Sequence, residues 1–150
     1  MFLVYPCFPT LFCINLVSVA SCIIEITRIT KQNATYDDEQ MKKIFQLIVA
    51  AFEKLSHMSS SCHTKAVSIL DTIVKVRSCL VMLDLECDAL VVEMFQNFLK
   101  IIRSNHPHAV FLTMETIMTL VIDESEEISL DLSSFLLASV RKIRMFHLLC

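Results

Sequence analysis

The stretch Asp38-Glu39-Gln40-Met41-Lys42-Lys43-Ile44-Phe45-Gln46-Leu47-Ile48-Val49-Ala50-Ala51-Phe52 decides the fold. Met41, Ile44, Phe45, Ile48, Val49, Phe52 and the following Leu55 step by three and four residues, which places them on one face of an α-helix. Its start is marked chemically. Asp37 can accept from the backbone N–H three residues on, and Gln40 can reach back, the two halves of a capping box. Tyr36 and Met41 are placed to close a hydrophobic staple over that cap. Ser-rich residues from His57 to Cys62 read as the next corner.

The same stretch recurs. Asp38–Phe52 aligns with Asp88–Ile102 at an offset of 50 residues, with Phe45-Gln46 on Phe95-Gln96, Ile44 on Met94 and Ile48 on Phe98. A partner segment recurs as well: Asp71-Thr72-Ile73-Val74-Lys75-Val76 falls on Glu115-Thr116-Ile117-Met118-Thr119-Leu120, 44 residues later. The segment from Thr64 to Met82 is expected to be one inner helix, apolar on more than one side. Asp84-Leu85-Glu86 forms a corner before the helix bearing Leu90, Val91, Met94, Phe95, Phe98 and Ile101. Pro107 suits the first turn of a helix whose stripe is Val110, Phe111, Met114, Ile117, Met118 and Val121. A last helix is expected through Leu132, Phe135, Leu136 and Val140. Two helices per unit of 40 to 50 residues is the period of HEAT and armadillo arrays, in which each hairpin buries its open face on its neighbour. The expected fold is therefore all-α, an α-solenoid of stacked HEAT-like helical hairpins.

Composition agrees. The 150 residues contain no glycine, where about 7% is usual. Dinucleotide loops, phosphate-binding loops, nucleophile elbows and EF-hand loops all need glycine, so these functions are excluded. Three prolines and no glycine leave little turn chemistry for a β-rich fold, so plain polar corners are expected. Hydrophobic residues make up 55% and charged residues 19%, with net charge −3 and mean hydropathy +0.61. No basic run exists to neutralise phosphates, so direct nucleic-acid binding is not expected. The high hydropathy suits a piece of a larger helical protein, a secreted precursor or a membrane protein.

The N-terminal residues carry no charge before Glu25. Ser18-Val19-Ala20 resembles a small-residue cleavage site, and Asn33-Ala34-Thr35 fits the N-glycosylation sequon. A secreted or membrane-anchored helical protein is the alternative these features keep open. Against it stand the missing basic n-region, Pro6 and Pro9, and a helical pattern running through the cleavage site into Ile23, Ile24, Ile26 and Ile29. Seven cysteines at irregular spacing, with no C-x-x-C, read as small buried hydrophobes. Cys79, near Lys75 and Arg77, is the nearest to a tuned thiol, and it lies in an apolar segment. His106 and His108 point to different sides of a helix start, and His57, Cys62 and His63 lack zinc spacing. Glu124, Glu126 and Glu127 read as a solvated turn. No catalytic, metal or cofactor site is expected. Lys42, Lys43, Gln46, Glu53 and Lys54 could contribute to an interaction face.

Several segments together carry a specific resemblance: Val19-Ala20-Ser21-Cys22, Glu25-Ile26-Thr27-Arg28-Ile29-Thr30, Tyr36-Asp37-Asp38-Glu39-Gln40-Met41, Lys75-Val76-Arg77-Ser78-Cys79, Met82-Leu83-Asp84-Leu85-Glu86-Cys87-Asp88 and Met114-Glu115-Thr116-Ile117-Met118-Thr119-Leu120. The chain resembles the N-terminal HEAT repeats of the cohesin-associated family named for precocious dissociation of sisters, in its plant form. The likeness runs over 16–142, leaving an apolar leader at 1–15 and a tail at 143–150. It implies a nuclear, non-enzymatic regulator of sister chromatid cohesion. The implied partners are the kleisin subunit of the cohesin ring and cohesin release factors, and the implied roles include ring release and DNA repair. Members of the family are much longer, so a truncated form is expected. They commonly read Ala-Pro-Asp-Ala-Pro-Tyr at a partner-docking corner. Here that corner is Lys31-Gln32-Asn33-Ala34-Thr35-Tyr36, which keeps only Ala34 and Tyr36. The resemblance thus makes Asn33, Ala34 and Tyr36 a degenerate partner-binding site, with docking weakened by the lost prolines and acid.

Overall fold

A computed structural model describes residues 8–30, 36–57, 61–102 and 107–125, with positions 130, 133–135 and 137. The described residues are helical, with no strand among them. The helices are α1 (Phe8–Thr30), α2 (Asp38–Phe52), α3 (Ser61–Val76), α4 (Val81–Asp84), α5 (Asp88–Ile101) and α6 (His108–Glu124). Short 3-10 turns, Glu53–Ser56 and Ser78–Leu80, follow α2 and precede α4.

The expected capping box is present. The Gln40 N–H donates to Asp37 Oδ1 at 2.8 Å, and the Asp37 N–H donates to Gln40 Oε1 at 3.1 Å. Tyr36 and Met41 are half-buried against the core beside it. The stripe read from the sequence is buried: Ile44, Phe45, Ile48, Val49 and Phe52 all lie in the core.

The helices form two layers. Helix α3 packs between α1 and α6, and α2 packs beside α5. The connection between layers runs through contacts of α1 and α3 with α2. The repeated segments occupy equivalent places. Phe45 and Phe95 are both buried, as are Ile48 and Phe98, and as are Ile73 and Ile117. Phe52 meets Phe98 with ring centroids 5.2 Å apart at 49°, a tilted contact that joins one repeat to the next.

Helix α1 begins at Phe8, so it runs across the 15/16 boundary between leader and repeat segment. Ala20 is fully buried in mid-helix, so a cut after it would remove half of α1 and strip Val17 and Ala20 from the core. Val19, Ile26 and Ile29 lie exposed on the other side of α1. No helix among the described residues is long and apolar enough to cross a membrane. Of the expected last helix, Phe135 packs against the core, and Leu132, Leu136 and Val140 lie outside the described residues.

The continuous helix expected over Thr64–Met82 is the clearest correction. Helix α3 stops at Val76, and Arg77 turns left-handed with φ 54° and ψ 28°. Its N–H donates to Val74 O at 3.3 Å. A second left-handed residue, Glu86 at φ 54°, closes α4. There the Cys87 N–H reaches Met82 O and the Glu86 N–H reaches Leu83 O, both at 2.9 Å. That is the Schellman pattern, with glutamate where glycine is usual. A chain without glycine still needs positive φ to end these helices, so arginine and glutamate carry it. Each residue bears a Cβ clash of roughly 1–2 kcal/mol.

Arg77→Gly is therefore expected to stabilise the chain by up to about 1 kcal/mol, the relieved clash exceeding glycine's extra freedom in the unfolded state. A urea titration reads this as a raised midpoint at unchanged slope. A lowered midpoint would show that the turn is not strained.

Candidate interaction surface

The two layers present two polar depressions. The first lies along the α1–α3–α6 layer. It is a cavity of about 270 Å³ lined by Glu25, Arg28, Ser68, Asp71, Thr72 and Lys75. The Arg28 Nε–H donates to Glu25 Oε2 at 2.6 Å within α1. From α3, the Thr72 hydroxyl lies 3.2 Å from Glu25 Oε1 and 2.9 Å from Ser68 O. Lys65 Nζ donates to Ser18 Oγ at 2.7 Å further along the same pair of helices. Across the other side of α3, the Thr113 hydroxyl lies 3.4 Å from Asp71 Oδ1. Polar side chains of α3 thus reach both of its neighbours in the layer. The Arg28 hydrogen bond holds the Glu25 carboxyl below its ordinary pKa; partial burial opposes this, and the Arg28 charge, the Thr72 hydroxyl and Lys75 add to it.

The second depression lies between the 3-10 turn that follows α2 and the C-terminal end of α5. Glu53, Lys54, Ser56, His57, Asn97, Lys100 and Ile101 line a groove of about 230 Å³. Asn97 is only 4% exposed, and its Nδ2 donates to Val49 O at a long 3.4 Å.

Of the partner-site residues read from the sequence, Asn33 and Ala34 lie outside the described residues. Tyr36 stands at the head of α2, half-buried beside the capping box. Among the outer-face candidates, Lys43, Gln46 and Glu53 are exposed and Lys42 and Lys54 half-buried. His106 and both Glu126 and Glu127 lie outside the described residues. His57 and His108 are exposed, and His63 is half-buried. Among the described residues no three His, Cys, Asp or Glu side chains converge as a metal site would require.

Cys62, Cys79 and Cys87 are buried as expected, while Cys22 is exposed. Burial raises the thiol pKa of Cys79 and of Cys87, away from the thiolate that nucleophilic chemistry needs. Asn97 and the Glu25–Thr72 pair escaped the sequence reading. A signal for Asn97 was available: the 50-residue offset pairs it with Leu47, so a polar residue replaces an apolar one in the repeat.

With this geometry in place, comparison with known proteins is informative. The family model of the sister chromatid cohesion protein PDS5 matches residues 16–143. The chain is 62% identical over 126 residues to sister chromatid cohesion protein PDS5 homolog E of Arabidopsis thaliana, covering 84% of this chain. It is 60% identical over the same length to homolog C of that plant. The chain spans 13% and 14% of those two relatives. Its fold matches a chain in the solved structure of the Pds5–Scc1 complex, with TM-score 0.70 and 25% identity, over 78% of this chain and 18% of that one.

A pH dependence follows from the Glu25 pairing. A carboxylate with a lowered folded pKa contributes stability above its unfolded pKa and loses it as pH falls through the folded value. Glu25→Gln is expected to melt below the parent chain at neutral pH, with the gap closing under acid conditions beneath the ordinary glutamate range. Thermal melts of both chains at neutral and acid pH check this; an equal gap at both would contradict it.

Proposed function

The chain belongs to the PDS5 family of sister chromatid cohesion proteins, and on that premise we propose that it acts as a cohesin-associated scaffold without enzymatic activity, working in the nucleus on chromatin. The observation that carries this reading is the agreement of the family likeness and the fold likeness over the same stack. The family model covers residues 16–143, and the helical layers match a chain solved in a complex with Scc1. Scc1 is the kleisin subunit, so the proposed partner is the kleisin of the cohesin ring. Release factors of cohesin are the second proposed partner, and a role in DNA repair follows the same reading.

The physical fit is that of a solenoid. Such a stack offers an extended surface that can hold a partner segment across successive helices. Its buried, raised-pKa thiols suit a binding role better than a nucleophilic one. We place a degenerate partner corner at Lys31–Tyr36, ahead of the capped start of α2. The corner's sequence lacks both family prolines and the acid, so docking there is weaker than in the relatives.

One pull-down with two baits tests the reading. The 150-residue chain, beside a full-length relative, is exposed to the kleisin subunit and to the release factor's motif peptide. Recovery of kleisin by the chain, with motif-peptide binding weaker than the relative's, is expected. A folded chain that recovers no kleisin would place that surface outside these helices. Motif-peptide affinity equal to the relative's would overturn the proposed loss at the corner.

A further inference from the structure

We propose that the groove between the 3-10 turn after α2 and the C-terminal end of α5 binds an extended acidic peptide segment, with Asn97 holding its backbone and Lys54 and Lys100 its carboxylates.

Asn97 is the observation that starts it. This amide is 4% exposed on a helix whose neighbouring core positions are Met94, Phe95, Phe98 and Ile101. The equivalent position of the preceding repeat is Leu47, so an apolar residue is compatible with the backbone there. A side-chain amide has two donors and an acceptor. One donor makes a 3.4 Å bond to Val49 O, a long contact for N–H···O. Burying an amide costs free energy unless its bonds are made. Asn97 lines the groove, so a chain lying there meets this amide.

An amide matches a peptide group, because each offers an N–H donor and a C=O acceptor. It has no charge with which to hold a free anion. The lysines supply that part. Lys54 and Lys100 and the His57 imidazole line the groove against one carboxylate, Glu53, in a chain of net charge −3. Helix C-termini favour cations, and this accounts for Lys100 in the last turn of α5. It does not account for Asn97.

The spacing suits an extended chain. Neighbouring packed helices lie about 8–10 Å apart. Alternate side chains of a strand lie on one side, about 7 Å apart. A segment crossing from the 3-10 turn after α2 to the end of α5 can therefore place acidic side chains near Lys54 and Lys100 while its backbone passes Asn97. Ile101 offers an apolar wall for an intervening side chain. The groove's 230 Å³ accommodates part of such a segment and not a folded domain.

The test uses the full chain and a short fluorescein-labelled peptide alternating glutamate with leucine, read by polarisation. Saturable binding is expected, with a lysine–leucine peptide failing to bind and inorganic phosphate failing to compete at matched ionic strength. Asn97→Leu is expected to weaken binding about tenfold, the worth of a good hydrogen bond, while its melting temperature stays level or rises. Should that variant fail to fold, the double variant Lys54→Gln, Lys100→Gln carries the test, with the same expected loss and a flattened salt dependence. Equal binding by either folded variant, equal binding of the lysine peptide, or displacement by phosphate alone would overturn the proposal.

Discussion

Helix α3 has neighbours on both sides in its layer and α2 beneath it, and the rest of the stack is arranged around that burial. Ala66, Ile69, Leu70 and Ile73 are all removed from water. Fully burying a large aliphatic side chain contributes roughly 1.5–3 kcal/mol, so α3 loses most of its reason to be helical if either neighbour in its layer is taken away. The constraint passes to the other layer through aromatic packing. Phe52 on α2 touches Phe98 on α5, and Phe45 and Phe95 sit at the equivalent points of their repeats. A single hairpin from this chain would leave half of these surfaces wet.

Polar side chains are fitted to that arrangement and do not drive it. Thr72 and Asp71 on α3 reach Glu25 on α1 and Thr113 on α6 at the surface of the layer. These contacts are partly exposed, and such pairs are individually weak. Each joins α3 to a neighbouring helix of its layer. Asn97 belongs to another category, because it is buried where leucine would serve.

The sequence carried the helices, their pairing and the repeat because these are periodic. A stripe at three- and four-residue steps from Met41 to Leu55 has one interpretation, and its echo at Asp88 makes chance improbable. The capping box was legible for a similar reason, since Asp37 and Gln40 sit at a fixed local spacing. What stayed hidden is non-periodic. Nothing in Val74-Lys75-Val76-Arg77-Ser78 marks a break, because the usual glycine signal is absent and arginine bears the left-handed turn. Nor does one sequence reveal that Thr72 faces Glu25, which depends on how α1 and α3 slide past each other. The family likeness was carried by whole segments. Asn33 and Ala34 fall outside the described residues, so that corner rests on the likeness alone.

Two repeats share one core through α3 and the Phe52–Phe98 contact. Native-state amide hydrogen exchange tests it most directly, because it resolves the opening of each helix. The slowest amides of α2, α3 and α5 are expected to open with one common free energy, equal to that of global unfolding. Slow exchange in α2 and α3 with freely exchanging α5 would contradict it, since the repeats would then be independent units.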